Sequence, residues 1–254
     1  MNAATPLAAL YDIHGNLPAL EAALAAADAE GVDEIVVGGD VVLGPMPRET
    51  LERLLALGPR ARFLRGNCDR LVVSAFDGER LDRLPAAVRE SVAWTASRLD
   101  RAHRDALAAW PTTLTAEWPS LGTVLFCHAT PRSDDELFTA LTPEDRVRPM
   151  LAGVTAPVVV CGHTHMAFDR VVDGVRVVNA GSVGMPYGRP GAHWLLLDGD
   201  VRAVRTDYDL DAAAARVRLT TYPQAEEFAA QSVLRPRSER EMLTLFEPGA
   251  AAAD

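Results

Sequence analysis

The sequence has few cysteines and no long apolar run. Its three cysteines, Cys68, Cys127 and Cys161, are an odd number, and no two of them form a CxxC zinc or redox pair. The longest apolar runs, such as residues 158–161, stop far short of the roughly 20 residues that cross a bilayer. No basic segment followed by an apolar one opens the chain. We therefore expect reduced thiols, no membrane span and a cytoplasmic location.

Basic blocks and aromatic residues are also scarce. The 25 lysines and arginines face 35 acidic residues, which gives a net charge of -10, and aromatic residues make up only 6% of the chain. Such a balance lacks the overall electrostatics of nucleic-acid binding, although a local basic site stays open. The 48% hydrophobic content over 254 residues is enough for one large core.

Short apolar runs alternate with helical patterns, and this rhythm predicts an α/β fold. Strands are predicted at LAALY, EIVV, ARFL, TVLFC, PVVVC, VRVVN and HWLLLD. LPALEAALAAADAE is predicted as a helix, with Pro18 at an early position and Gly31 at its end. One long helical region is predicted between Pro85 and Trp110, and a further helix is predicted to start near Thr142.

Residues 1–206 follow this rhythm, whereas residues 207–254 depart from it. AAAARV, QAEEFAAQSVL and REMLTLF are helical patterns, so residues 207–254 are predicted as a C-terminal helical extension packed on the same domain, with a frayed tail. An amphipathic helix does not say whether the extension covers a pocket or makes a contact in a homo-oligomer, and both alternatives stay open.

Ligand-capable side chains follow five of the predicted strands. They are Asp12 and His14 after LAALY, Asp40 after EIVV, Asn67 after ARFL, His128 after TVLFC, and His163 and His165 after PVVVC. In an open α/β sheet, ligands bind at the carboxyl ends of the strands. Imidazole mixed with carboxylate and amide oxygen suits manganese, iron or zinc. Each motif alone has a simpler interpretation as a turn or a core histidine, but the five together predict a polynuclear metal site.

The motifs DIHGN, GGDVVLG, GNCD, CHATP, GHTH and NAGSVG, in this order, resemble those of the calcineurin-like metallophosphoesterases, in particular their small prokaryotic phosphodiesterase-like branch. The resemblance runs from about Leu7 to Tyr208. It implies a four-layer α-β-β-α sandwich of two mixed β-sheets flanked by helices. It also implies a dinuclear metal site at the carboxyl ends of the strands.

A ligand set for two divalent ions follows from the resemblance. It assigns Asp12, His14 and His165 to one ion, Asn67, His128 and His163 to the other, and Asp40 to a bridging position. Asp40, Asn67 and His128 are thereby also implicated in catalysis. Manganese is the expected metal, with iron, zinc, nickel, cobalt and magnesium as alternatives.

The implied activity is hydrolysis of a small-molecule phosphate ester, first of all a phosphodiester, by a hydroxide that bridges the two ions. Two alternatives are a phosphoprotein serine/threonine phosphatase and a dinucleoside-polyphosphate phosphatase, because the ligands do not encode the substrate. A third alternative is a non-catalytic interaction scaffold on the same fold, although no ligand is lost from this sequence.

Seven further residues are candidates for positioning ligands or binding substrate: Asn16, Cys68, Asp69, Arg132, Asn179, Ser182 and Arg189. Asn16 either orients a ligand or stabilises a turn. The loop with Asn179 and Ser182 either forms the floor of the pocket or is a plain strand-to-loop transition. Arg132 and Arg189 are candidates for contacting a substrate phosphate, against the simpler interpretation of solvated surface arginines.

Cys68 marks a departure from the wider family. Many of its phosphatases have a histidine at this position that protonates the leaving oxygen, followed by an acid that orients it, here Asp69. A thiol with an ordinary pKa of about 8.5 is a poorer proton donor than imidazole. The same substitution occurs in the small branch, so we expect protonation to rely on water, on another residue, or on substrates whose leaving group needs little help.

Overall fold

Ten β-strands form the centre of the molecule in a computed structural model that describes residues 5–247. The predicted frayed tail, residues 250–254, lies outside this range. The strands are β1 (Leu7–Leu10), β2 (Glu34–Val37), β3 (Ala61–Phe63), β4 (Thr113–Trp118), β5 (Gly122–Cys127), β6 (Val158–Cys161), β7 (Phe168–Val172), β8 (Val175–Asn179), β9 (Ala192–Leu197) and β10 (Val201–Thr206).

The strands divide into two mixed sheets of five. The first has the order β10-β9-β1-β2-β3. In it, β1, β2 and β3 are parallel to one another, β9 is antiparallel to β1, and β10 is antiparallel to β9. The second has the order β4-β5-β6-β8-β7, in which β5, β6 and β8 are parallel and the edge strands β4 and β7 are antiparallel. Each sheet therefore has a group of parallel strands whose carboxyl ends open on one edge.

Nine α-helices connect and cover the sheets within the described residues. They are α1 (Leu17–Ala29), α2 (Pro47–Leu55), α3 (Asn67–Phe76), α4 (Ala86–Arg98), α5 (Arg101–Ala109), α6 (Glu144–Val147), α7 (Leu210–Arg218), α8 (Ala225–Phe228) and α9 (Glu239–Phe246). A 3-10 turn extends α6 over Arg148–Leu151, and a π-helical segment extends α8 over Ala229–Leu234. Pro18 lies in the first turn of α1 as predicted, because the first amides of a helix have no partner within it.

Three buried hydrophobic clusters separate four layers. Alternate residues of β1 face opposite sides, so that Leu10 packs against the helices while Leu7 packs between the two sheets. Phe126 on β5 meets Leu7 in the cluster between the sheets. A third cluster, which includes Val159 and Val147, joins the outer face of the second sheet to α6. The layers are therefore helix, sheet, sheet and helix, which confirms the α-β-β-α sandwich.

The prediction of one long helix between Pro85 and Trp110 is wrong. Leu99 has an extended backbone, and the Asp100 side chain accepts a hydrogen bond of 3.1 Å from the backbone N–H of His103. This contact caps a new helix, so the region divides into α4 and α5. The sequence rhythm also missed β4, β7 and β10, whose exposed polar residues dilute the apolar pattern.

The helices after β10 pack on the first layer. Val217 of α7 and Phe228 of α8 lie in the same buried cluster as Leu20 of α1 and Val92 of α4. No helix among residues 5–247 has the length and apolar content needed to span a membrane.

We expect Phe228→Ala to destabilise the protein far more than Leu219→Ala. Phe228 is only 4% exposed in the core, whereas Leu219 is 86% exposed on the same segment. Loss of a buried phenylalanine costs about 3–5 kcal/mol of unfolding free energy, and an exposed position changes it by about 0.5 kcal/mol or less. Urea unfolding followed by circular dichroism measures the difference. Equal effects would mean that the C-terminal helices are not part of the core.

Candidate metal centre

The seven predicted ligands lie together where the carboxyl ends of parallel strands from both sheets meet. Their ligand atoms fall into groups within 4.8 Å of one another: Asp12, His14 and His165 in one, and Asp40, His128 and His163 in another. Asn67 joins the second group, because its Oδ1 is 3.1 Å from His128 Nε2. A third group overlaps the others and consists of His14, Asp40 and Cys68. Asp40 therefore lies between the two ligand sets.

The backbone of the predicted ligands is unusual. Among the described residues, six other than glycine have a positive φ, and five of these are predicted ligands: Asp12 (55°), His14 (49°), Asp40 (53°), His163 (67°) and His165 (57°). A left-handed backbone costs residues with a Cβ on the order of 1 kcal/mol each. Such residues persist only where the surroundings fix them, and they concentrate at functional sites.

Hydrogen bonds between loops hold this backbone. Asp12 N donates to Gly39 O at 3.1 Å, and His14 N donates to Asp40 O at 2.9 Å, which ties the loop after β1 to the loop after β2. His163 N donates to Asp12 Oδ2 at 2.8 Å. The last contact crosses from the second sheet to the first, so the two halves of the site position each other.

Three of the four imidazoles are oriented by backbone carbonyls. The Nδ1 atoms of His14, His128 and His165 lie 3.1, 2.9 and 2.8 Å from the carbonyl oxygens of Leu43, Gly38 and Met185. A carbonyl only accepts hydrogen bonds, so each Nδ1 carries a proton and donates it. In the neutral ring, each Nε2 then presents its lone pair to the centre of the site, as a metal ligand must.

The donor set fits divalent cations. The Nε2 atoms of His14 and His165 lie 3.1 Å apart, a distance that requires either a proton between the two nitrogens or a cation beside both. Asp12 Oδ1 and His163 Nε2 are buried and have no hydrogen-bond partner among residues 5–247. Buried polar atoms without partners are rare in proteins, and here they point into a cluster of nitrogen and oxygen donors.

Burial and the nearby carboxylates shift the pKa values of the imidazoles in opposite directions. Burial, reinforced by the charge of His165, lowers the pKa of His14 to about 4. Burial also acts to lower the pKa of His128. The Asp40 carboxylate, whose Oδ2 lies 3.4 Å from His128 Nε2, has the larger effect and raises the pKa of His128 to about 10. His14 is therefore already neutral at pH 7, whereas His128 must lose a proton to ligate a cation.

Two glycines let the backbone approach the carboxylates. A Cβ at Gly66 would lie 2.1 Å from Asp40 Oδ1, and a Cβ at Gly162 would lie 2.4 Å from Asp12 Oδ2. Neither distance is compatible with a side chain. These glycines are required by close packing against the ligands.

Asp69 anchors the Asp40 loop. Its two carboxylate oxygens accept hydrogen bonds from the backbone N–H groups of Asp40, Val41, Val42 and Gly66 at 2.8 to 3.3 Å. Both oxygens are thereby occupied with backbone groups. Asp69 thus acts on the ligand geometry, and no hydrogen bond joins its carboxylate to the Cys68 thiol.

Cys68 follows Asn67 in the first turn of α3 and is half-buried. Its backbone N–H donates to Asp40 Oδ1 at 2.8 Å. Its thiol lies within 4.8 Å of the ligand atoms of His14 and Asp40. Burial and the Asp40 carboxylate raise the pKa of this thiol well above its ordinary value. The thiol is therefore next to the predicted ligands but in its protonated form.

Asn16, Asn179 and Ser182 all hold loops that bear predicted ligands. The Asn16 side chain caps α1 and donates to Gly184 O at 2.9 Å, so it stabilises the turn after the ligands of β1. Ser182 Oγ donates to Asp12 O at 2.7 Å, and Asn179 Nδ2 donates to Gly162 O at 2.6 Å. These contacts fix backbone rather than form a pocket floor.

The two candidate arginines are not brought into the cluster. The Arg132 guanidinium pairs with the Glu136 carboxylate and donates to Pro149 O at 2.9 Å. Arg189 is exposed, and its side chain makes no hydrogen bond or ion pair within the part of the chain that the structure describes. Neither guanidinium contacts a predicted ligand.

Several groups that orient the site leave no signal in the sequence. The carbonyls of Gly38, Leu43 and Met185 are backbone groups, and no residue type signals them. Tyr187 stacks on the His165 ring with the ring centres 5.5 Å apart. Its position five residues after Ser182, in a loop without a strong pattern, gave no indication of this contact.

Comparisons with known proteins agree with the motifs and the fold. A model of the calcineurin-like phosphoesterase superfamily domain matches residues 6–202. A hypothetical protein from Pyrococcus horikoshii is 23% identical, with a TM-score of 0.77 over 92% of this chain and 100% of that chain. A metallophosphoesterase from Sphaerobacter thermophilus is 25% identical, with a TM-score of 0.70 over 89% of this chain and 99% of that one. No curated protein matches the sequence.

Gly66→Ala should disrupt the site. Its Cβ would displace the Asp40 carboxylate, so we expect loss of bound metal as well as lower stability. Gly31→Ala is the matched control. Gly31 has a φ of +72°, so alanine there strains the backbone, but no atom lies within 4 Å of the added Cβ. Metal content per chain, measured by atomic emission, distinguishes the two. Retention of full metal content in Gly66→Ala would contradict the placement of Asp40.

Proposed function

The chain belongs to the calcineurin-like phosphoesterase superfamily, a family of metal-dependent hydrolases of phosphate esters, and we propose that it is a phosphodiesterase with two divalent ions. The observation that carries this proposal is the left-handed backbone of five of the seven predicted ligands. Backbone strain of this kind concentrates at functional sites, where it positions reactive or ligating groups. The buried, unpartnered Asp12 Oδ1 and His163 Nε2 support the same proposal.

Asp12, His14 and His165 would hold one ion, and Asn67, His128 and His163 the other. Asp40 would contact both, which is supported by its membership in two of the ligand groups. Manganese is our proposed metal, because carboxylate and amide oxygens are mixed with imidazole nitrogens. Iron, zinc, nickel, cobalt and magnesium are the alternatives for the same donor set.

When bound, such ions supply a polarised water and neutralise charge on the phosphoryl oxygens. The residues themselves set the charge and the geometry. Two divalent ions would bring four positive charges, against two negative charges from Asp12 and Asp40 and none from the neutral oxygen of Asn67. The net charge facing an anionic ester would therefore be positive. The backbone hydrogen bonds to His14, His128 and His165 hold the imidazoles in place, so that little reorganisation accompanies the reaction.

The residue at position 68 bears on which leaving groups the site favours. A thiol there supplies no imidazolium to protonate a leaving oxygen. Asp69, which follows it, is fully engaged with backbone amides. Substrates with leaving groups that need little protonation should therefore be favoured.

A cleft beside the centre supports a small-molecule substrate. Met185 and Tyr187, which contact His165, line one side of a cavity of about 390 Å³, and Tyr222, Gln231 and Arg237 of the C-terminal segment line the other. This volume is within the range of small-molecule sites. We propose that the C-terminal extension forms a wall of the substrate cleft. It would then contact the organic part of the ester.

We also propose that the ester is met in the cytoplasm. All three cysteines are free, and a reducing compartment keeps thiols in this state. The net charge of -10 disfavours a nucleic acid bound through overall electrostatics.

Asp40→Asn and His163→Ala should each lower turnover at least about 100-fold, because loss of even an outer-shell partner costs a metal site about 10- to 100-fold. Asparagine tolerates a left-handed backbone, so the Asp40→Asn fold should persist. The assay uses Mn²⁺-loaded protein with an aryl phosphodiester and an aryl phosphomonoester. Exposed Asp145→Asn is the matched control and should retain turnover.

Near-wild-type rates in both site variants would refute the assigned ligands. The scaffold alternative is decided by metal analysis of the wild-type protein after reconstitution. Fewer than one ion per chain, without metal-stimulated turnover on either ester, would favour the scaffold over the hydrolase.

Replacing Cys68 tests the leaving-group argument. We expect Cys68→His to speed hydrolysis of esters with poor leaving groups more than that of esters with good ones, because it restores a proton donor beside His14 and Asp40. Rates across a series of aryl esters of different leaving-group pKa give the comparison. Cys68→Ala is the control and should keep its metal. If Cys68→Ala loses metal instead, the thiol is a ligand and our ligand set is incomplete.

A further inference from the structure

Arg65 lies between β3 and the ligand Asn67, and its charge is not matched by the protein. Its Nε is buried and makes no hydrogen bond within residues 5–247, and its guanidinium forms no ion pair with the acidic residues described there. The Arg65 side chain as a whole is half-buried, so the rest of its guanidinium group is open to an acceptor that comes from outside the chain.

Arg65 opens on a cavity of about 330 Å³ that two ligand-bearing loops border. Arg65 precedes Gly66 and Asn67, while Thr130 of the opposite wall comes two residues after His128. Arg70 and Arg132 also line this cavity. Three arginines thus line one cavity beside the proposed metal centre.

Two of these guanidinium groups are already neutralised. Arg70 makes a bidentate pair with Asp134, with Nε–Oδ2 and Nη2–Oδ1 distances of 2.7 and 2.9 Å. Arg132 pairs with Glu136. These pairs fix the walls of the cavity and leave Arg65 as the one cation among its described lining residues without a counter-ion.

We propose that this cavity binds a phosphate-type oxyanion through Arg65. The planar guanidinium offers parallel N–H donors that match two oxygens of a tetrahedral anion. The anion is either a second phosphate group on the substrate, in which case the inference rests on the proposed function, or a free inorganic anion. The two sources share the same chemistry and differ in their effect on kinetics.

The test compares Arg65→Gln with wild type and with Arg83→Gln, which removes the same charge from an exposed position outside the cavity. Sulfate is the binding probe, titrated against metal-loaded protein by thermal shift, with chloride at matched ionic strength. Kinetics use one ester with a single phosphate and one with a second phosphate beside the scissile one. Because its side chain makes no hydrogen bond, Arg65→Gln should fold normally.

We expect the sulfate dissociation constant to rise at least about tenfold in Arg65→Gln and to stay unchanged in Arg83→Gln. A parallel rise in KM only for the ester with two phosphates assigns the cavity to the substrate. Unchanged KM values for both esters assign it to a free anion. Unchanged sulfate binding in Arg65→Gln would overturn the proposal. If neither ester is hydrolysed, the proposed function fails, and the sulfate titration still decides the cavity.

Discussion

The structure depends on two carboxylates, Asp12 and Asp40, buried at the junction of two β-sheets. A buried carboxylate is costly unless cations or hydrogen bonds compensate it. Asp12 receives one backbone hydrogen bond on Oδ2, and its Oδ1 faces the Nε2 atoms of His14, His128 and His165 at 3.3 to 3.9 Å without bonding to any of them. The compensation for this oxygen must therefore include positive charge among the ring nitrogens.

Much of the surrounding backbone is shaped by this requirement. Five predicted ligands with a left-handed backbone, at on the order of 1 kcal/mol each, amount to a large part of a net stability that is about 5–15 kcal/mol in ordinary domains. The strain is offset by hydrogen bonds that cross between loops and by side chains such as Asp69, which accepts four backbone N–H groups. A relaxed loop would lose both the position of the predicted ligand and the hydrogen bonds that hold it.

The motifs predicted the ligand cluster, since polar side chains after parallel strands must meet at one sheet edge. The four-layer architecture came from the family resemblance, because alternation of apolar runs does not tell one sheet from two. Local side-chain effects explain the wrong helix prediction and the missed strands. Asp100 ends a helical pattern through a side-chain contact, and the edge strand β7, with residues such as Asp169, is too polar to stand out. The orienting carbonyls of Gly38, Leu43 and Met185 have no counterpart in any residue type.

Under the proposed function, substrate choice and chemistry would rest on different parts of the molecule. The proposed ligands belong to short loops after strands, and their identity follows from motifs. The walls around them come from segments without motifs: the Tyr187 loop, the C-terminal helices that include Tyr222, and Arg65 with its cavity. Changes in these walls alter the shape and charge offered to a substrate without touching a ligand. Under that proposal, one metal centre would serve different esters, and recognition of a particular ester would rest on Tyr187, Tyr222 and Arg65 rather than on the proposed ligands.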